Sequence, residues 1–288
     1  MKIISMFFVT VATLYVIWML NLLRRYYFKW EKTNGNFARE GPIPSGTVVL
    51  PLSYWSHSAK LQVVGRQRAI KGFQTIGILM NEKDGKDKIM RTINSLIEET
   101  TEKDQMETVV LIFLSVDQSS NFQILKEIIS MFPTYMSSGF LQVIYRTNPS
   151  DTNATSTLES WQKDNIDYGM LIMFAQRFIF SKYFLFLEYN VTCSPGFVFT
   201  MKMDVEFYSK LPWMMLQFSQ LKLAGRFYHY HDLHKLLNYL WIFHQKLPPE
   251  ALVELFVDIR GNAKSTGVRK RNLFQYQLEE NLIGASAT

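Results

Sequence analysis

Few residues in this 288-residue chain are arranged so that they could do chemistry. One group is Glu188-Tyr189-Asn190, which follows the apolar run Tyr183 to Leu187. A carboxylate just past a buried strand is where a divalent ion bridging a diphosphate can be held. Here Glu188 is the only carboxylate of the tripeptide, and a lone acid at such a place is usually a solvated turn. A second group is His229-Tyr-His231-Asp-Leu-His234, whose imidazoles could bind zinc or copper. No cysteine or further carboxylate completes that ligand set, so a polar loop entering a helix, with Asp232 near its N-cap, is the plainer reading. The single cysteine, Cys193, excludes an intrachain disulfide and is expected to be buried. Asn153-Ala-Thr155 and Asn190-Val-Thr192 are N-x-T glycosylation acceptors. No P-loop, GxSxG, HExxH or CxxC is present.

The elements that must position these groups alternate. Gln74 to Leu79, Thr108 to Ser115, Phe140 to Tyr145, Tyr183 to Leu187 and Trp213 to Phe218 read as strands or buried runs. Helices are predicted at Asp87 to Glu99, at Asn121 to Phe132 with Phe122, Leu125, Ile129 and Phe132 on one face, from about Asp164 to Phe180, and at Asp232 to Gln245. This alternation predicts an α/β fold with a mostly parallel sheet covered by helices, and ligands at the carboxyl ends of its strands. With 48% hydrophobic and 15% aromatic residues the chain is not of disordered composition. A formal net charge of +6 sits largely in Arg24 to Lys32 and Lys264 to Arg271, without a nucleic-acid motif, so no nucleic-acid partner is expected.

Ile3 to Leu23 is apolar and uncharged, and as a helix it would reach roughly 30 Å, the thickness of a bilayer's hydrocarbon core. Arg24 and Arg25 follow it with no small-x-small cleavage site before them, which favours an uncleaved anchor over a signal peptide. The flanking charges slightly favour a cytoplasmic body, whereas the sequons require a luminal one.

Several segments resemble one family. Ser137-Ser-Gly-Phe-Leu-Gln-Val-Ile144 is similar to a Ser-Ser-Gly-Leu-Leu-Glu-Val-Ile stretch. Gln162 to Gln176 is similar to a Lys-Gln-Asn-Leu-Asp-Tyr-Cys-Phe-Leu-Met-Met-Tyr-Ala-Gln stretch, and Trp213 to Leu221 to Trp-Met-Ile-Leu-Glu-Phe-Ser-Gln-Leu. Leu273-Phe-Gln275 resembles the start of Leu-Phe-Gln-His-Val-Gly. All four belong to the N-acetylglucosaminyltransferase IV family, Golgi enzymes that add a β1,4-linked N-acetylglucosamine to the α1,3-mannose arm of N-glycans. The resemblance implies a GT-A-like nucleotide-sugar transferase domain behind an N-terminal transmembrane signal anchor. It implies manganese and UDP-N-acetylglucosamine as cofactor and donor in active members. It settles the expected orientation as single-pass type II in the Golgi or endoplasmic reticulum membrane. The implied division is a cytoplasmic tail at 1–2, an anchor in the lipid bilayer at 3–23, a stem and irregular segment at 24–72, a glycosyltransferase-like luminal domain at 73–278 and a C-terminal tail at 279–288.

Departures from the family pattern bear on activity. Its Glu-Asp-Asp metal motif falls on Glu188-Tyr189-Asn190, keeping the glutamate and losing both aspartates. An asparagine amide is a poorer ligand for a hard cation, which leaves Glu188 and Asn190 as a weak metal pair. The histidine after Leu-Phe-Gln is replaced by Tyr276. The chain is similar to a divergent, inhibitory member of the family, one that acts on N-acetylglucosaminyltransferase I instead of transferring sugar. The expectation is a catalytically inactive regulator or partner of Golgi N-acetylglucosaminyltransferases, with no cofactor. The alternatives are a weakly active transferase and a non-functional duplicate.

Overall fold

A computed structural model describes residues 47–50, 59–68, 72–81, 85–115, 118–146, 159–179, 181–211, 213–260, 266–268 and 272–277. In chain order the strands and helices are β1 (Thr47–Leu50), β2 (Ala59–Val64), β3 (Gly72–Met80), α1 (Lys86–Glu98), α2 (Glu102–Gln105), β4 (Thr108–Leu114), α3 (Gln118–Met131), α4 (Pro133–Ser138) and β5 (Leu141–Arg146). They continue with α5 (Ser160–Phe178), β6 (Ser181–Glu188), β7 (Val191–Cys193), α6 (Phe197–Tyr208), β8 (Met215–Gln217), β9 (Arg226–His229), α7 (Leu233–Phe243), α8 (Pro249–Arg260), β10 (Thr266–Val268) and β11 (Phe274–Tyr276). These elements lie in one unit spanning Gly41–Thr288.

Nine strands form one sheet in the order β1-β2-β5-β4-β3-β6-β9-β8-β10, and β11 pairs with β7 in a separate ribbon. The centre, β5-β4-β3-β6, is parallel. On either side β2, β1, β9 and β8 pair antiparallel, and β10 joins β8 in parallel. The sheet is therefore mixed, parallel where alternating strands and helices build it and antiparallel where shorter segments return to its edges. Its periphery reaches into the stretch 24–72 that was expected to be stem, because β2 pairs with β5.

Strand alternation explains the three layers. In β4 the side chains of Val109, Leu111 and Phe113 join one core with α5, α7 and α8 residues such as Leu171, Phe174, Leu236 and Phe256. Val110, Ile112 and Leu114 enter the opposite core with Ile89, Ile93, Ile128 and Phe197 from α1, α3 and α6. A strand buried on both faces must be apolar throughout, and all seven residues of β4 are buried.

The predicted apolar face of α3 needs correction. Leu125 and Phe132 are buried as expected, with Ile124 and Ile128, but Phe122 is 66% and Ile129 42% exposed. Both face sets have helical spacing, and only the position of the sheet decides between them. Four helices, the short α2 and α4 and the longer α6 and α8, are additions to the sequence reading. Gly196, with φ at 66°, supplies the left-handed residue from which α6 starts.

The expected single-pass type II membrane placement is also corrected. Among the described residues no helix is long and apolar enough to cross a membrane. The run 3–23 that carried that expectation lies outside the described residues, as does Asn153.

Candidate functional site

The carboxyl ends of β3, β4, β5 and β6 lie side by side, because those four strands are parallel neighbours. They deliver Asn81, Ser115, Arg146 and Glu188 to one edge, where the first turns of α5 meet them. Asp167 of α5 is fully buried and ties three of these elements together: Ser115 Oγ and Arg146 Nη2 both donate to its carboxylate. Lys163 Nζ donates to the Ser115 carbonyl. Two residues earlier, Asn165 Nδ2 donates to the carbonyls of His244 and Leu247 at 3.0 and 2.9 Å, fixing the far side of α5 to the end of α7. The conspicuous polar residues of the segment 162–168 thus hold the fold together behind the edge.

Asp164 faces the edge itself, accepting a hydrogen bond from Asn81 Nδ2 at 2.9 Å. Burial pushes its carboxyl up to about 6, with the Asn81 bond opposing the rise and the Asp167 charge adding to it. An acid whose folded pKa exceeds its unfolded value destabilises the fold once it ionises, so stability is lost as the pH rises from about 4 to above 6. Asp164→Asn keeps an acceptor for Asn81 and removes the charge. The variant is expected to gain about 1–2 kcal/mol at pH 7.5, allowing for partial solvent screening, and to match the parent near pH 4. Urea unfolding at the two pH values checks this, and an equal effect at both would refute it.

Glu188 ends β6, and both of its carboxylate oxygens have protein donors. Tyr276 Oη donates to Oε2 at 2.9 Å, and the Leu223 amide donates to Oε1 at 3.4 Å. Burial, then the Glu188 carboxylate, raises the Tyr276 phenol well above its ordinary value, so it stays a protonated donor. Tyr189 packs its ring against Gly85, where an added Cβ would come 2.9 Å from the ring. The Thr92 hydroxyl lies 2.7 and 2.9 Å from the Tyr189 and Val191 carbonyls, linking the turn to α1. The Gln277 amide donates to the Asn190 carbonyl at 2.9 Å, and Gln277 Nε2 donates to Thr92 Oγ1 at 2.9 Å. The Asn190 side-chain oxygen is buried and has no hydrogen-bond partner among the described residues.

These positions test the manganese that the family resemblance implies. One carboxylate, already bonded on both oxygens, and one neutral amide oxygen turned into the protein do not make a ligand set for a hard divalent cation. Among the described residues no three His, Cys, Asp or Glu side chains are grouped to hold a metal ion. The chain's described residues do not fit the ion.

The other sequence candidates are placed elsewhere. His229 stacks on Trp213 with ring centroids 3.7 Å apart, and burial, then His231, lowers its pKa. His231 approaches Asp232 at 3.2 Å, and His234 Nδ1 lies 2.7 Å from the His231 carbonyl. Since His229 pairs with Tyr183 across β9 and β6, this group lies at the opposite end of β6 from Glu188. Cys193 is buried on β7, and burial raises its thiol to about 12. Tyr276 and Leu223 were not found as partners of Glu188 from sequence; they lie 88 and 35 residues away, with no local signal linking them.

This three-layer α/β domain, with Glu188 at its strand ends, is of the glycosyltransferase-like class by its family match. Residues 55–277 match the model of the MGAT4 conserved region, and the chain belongs to that family. It is 28% identical over 206 residues to a mouse alpha-1,3-mannosyl-glycoprotein 4-beta-N-acetylglucosaminyltransferase-like protein, MGAT4E, covering 68% of this chain and 46% of that protein. It is 28% identical to the pig 4-beta-N-acetylglucosaminyltransferase C over 81% of this chain and 48% of the relative. With the human enzyme B it shares 28% identity over 63% of this chain and 36% of the relative. The chain thus spans about half or less of the length of these curated relatives. Among solved structures, S. aureus TarS superposes with a TM-score of 0.48 at 9% identity, over 72% of this chain and 37% of that one.

Proposed function

We propose that this chain is a GT-A-like glycosyltransferase-family protein of N-glycan processing that does not transfer sugar itself and acts as a partner or regulator of N-acetylglucosaminyltransferases, N-acetylglucosaminyltransferase I among them. The observation that carries the reading is the state of the Glu188-Tyr189-Asn190 turn. Its one carboxylate is bonded by Tyr276 and Leu223, and its amide oxygen faces inward. A UDP diphosphate brings about two negative charges, and offsetting them with a carboxylate-held ion is worth several kcal/mol in a transferase. Asp164 and Glu188 add negative charge at the same strand ends. The family membership supports the N-glycan setting, because the matched relatives are named for action on mannosyl glycoproteins.

Calorimetry of UDP-N-acetylglucosamine with the full chain across manganese concentrations tests the reading. Transfer to a biantennary acceptor and co-precipitation with N-acetylglucosaminyltransferase I complete it. The expected result is no manganese-dependent binding, no transfer, and association with the transferase. A second reading, a weakly active β1,4-N-acetylglucosaminyltransferase, is favoured by the retained Glu188. Tight manganese-dependent donor binding or measurable transfer would promote it and overturn the first. Tyr189→Asp/Asn190→Asp is not expected to rescue activity, since an aspartate at 190 places its charge where the buried side-chain oxygen has no donor.

A further inference from the structure

The strand β11 and the residue that follows it lie across the turn 188–190. Pairing with β7 sets Tyr276 opposite Val191, Gln275 opposite Thr192 and Phe274 opposite Cys193. Phe274 is fully buried and meets Phe197 of α6 edge to face, with centroids 5.6 Å apart. The segment is fixed before it reaches Glu188 as well: the Leu273 amide donates to the Phe218 carbonyl at 2.8 Å, and the Ser194 amide donates to the Leu273 carbonyl at 2.9 Å. Beyond Tyr276, Gln277 holds the Asn190 carbonyl and Thr92. A strand so anchored brings its phenol to Glu188 with little orientational freedom left to lose, which is the condition under which a hydrogen bond to a charged acceptor is worth having.

We propose that the Glu188 carboxylate is the acceptor of an internal brace, and that the Tyr276 hydroxyl, together with the Leu223 amide, takes the coordination that a cation would otherwise use. The turn that in a metal-dependent relative would be organised by an ion is here organised by protein donors from two distant segments. It therefore stays formed with or without divalent cations. Tyr276 is 40% exposed, so solvent competes and the bond's net effect is that of an ordinary hydrogen bond rather than of a buried ion pair. The inference deepens the proposed loss of metal-dependent transfer and rests on that reading for its meaning. Its test uses neither nucleotide nor partner protein.

The test is a double-mutant cycle on the full chain with Tyr276→Phe and Glu188→Gln, read by urea unfolding, with manganese chloride and EDTA arms. Tyr276→Phe is expected to weaken the folding equilibrium about 3- to 10-fold, and the double variant to lose little more than either single variant. Manganese is expected to leave the parent's unfolding midpoint where EDTA leaves it. A second readout is amide exchange in Tyr276→Phe: the Gln277 amide, bonded to Asn190, should exchange about 3- to 10-fold faster through local opening, at a rate well above that of the β3 and β4 amides, which follow only the global equilibrium. That readout stands alone if Glu188→Gln does not fold. Additive losses in the cycle, unaltered exchange at Gln277, or a manganese-dependent stabilisation of the parent that Glu188→Gln abolishes would each overturn the brace. Failure of the brace with no gain in manganese binding leaves the partner reading standing, and failure of co-precipitation leaves the brace standing.

Discussion

Replacing Asp167 by alanine is expected to destabilise the domain by about 3–5 kcal/mol, the largest effect of any substitution at this edge. Asp167 has no exposed side-chain surface, and the Arg146 side chain that bonds it is 22% exposed. Removing the carboxylate leaves a mostly buried guanidinium without its counter-charge and the Ser115 hydroxyl without its acceptor. Both losses act on the junction of β4, β5 and α5, so the damage should appear as a lowered unfolding midpoint and not as a local change. Removing both charges is predicted to hurt less: Arg146→Met/Asp167→Leu should recover part of the loss, because no unpaired ion then remains. Urea denaturation of the parent and the two variants decides it. A cost under about 1 kcal/mol for Asp167→Ala would show that the pair is not what joins these elements.

Gly169→Ala is expected to cost about 1–3 kcal/mol although alanine is the better helix former by about 1 kcal/mol. Gly169 lies in α5 where that helix packs on α7, and a Cβ there would come 1.9 Å from Trp241 Nε1 and 2.6 Å from Cδ1. Trp241 is itself 6% exposed, so its indole has little room to retreat. The sign is therefore set by packing and not by helix propensity. Pairing the change with Trp241→Leu should restore part of the stability by clearing the space that the methyl needs. Thermal unfolding of the single and double variants measures this, and a Gly169→Ala protein as stable as the parent would contradict the close approach.

Much of the scaffold was legible from local pattern. Thr108 to Ser115 could be read as a buried strand because burial on both faces demands an unbroken apolar run, and β4 occupies 108–114. Of the predicted face of α1, Ile89, Ile93, Leu96 and Ile97, the first three are buried and Ile97 is partly buried, since a helix with one apolar stripe has one way to bury it. In α3 that logic fails. Its apolar residues are spread over more than one face, and the sheet covers Ile124 and Ile128 while leaving Phe122 and Ile129 in solvent. The short strands β1, β9, β10 and β11 carry too few residues for a period to show, and the partners of β10 and β11, β8 and β7, lie far back along the chain.

By itself the sequence determined the chemical inventory and the family: a single glutamate followed by a tyrosine and an asparagine at the end of an apolar run, and segments similar to a known transferase family. Residue types are local facts, and long matched segments are carried by the order of residues. Only the tertiary structure decided what those residues do. Glu188 becomes a braced acceptor because β11 pairs with β7 and brings Tyr276 across 88 positions. Asp167 becomes a buried strut because α5 starts over the ends of β4 and β5, and the three histidines become a stacked and capped turn at the other end of β6. Hydrogen bonds and ion pairs depend on distances of about 3 Å between atoms, and such distances between remote segments are fixed by packing and not by spacing along the chain.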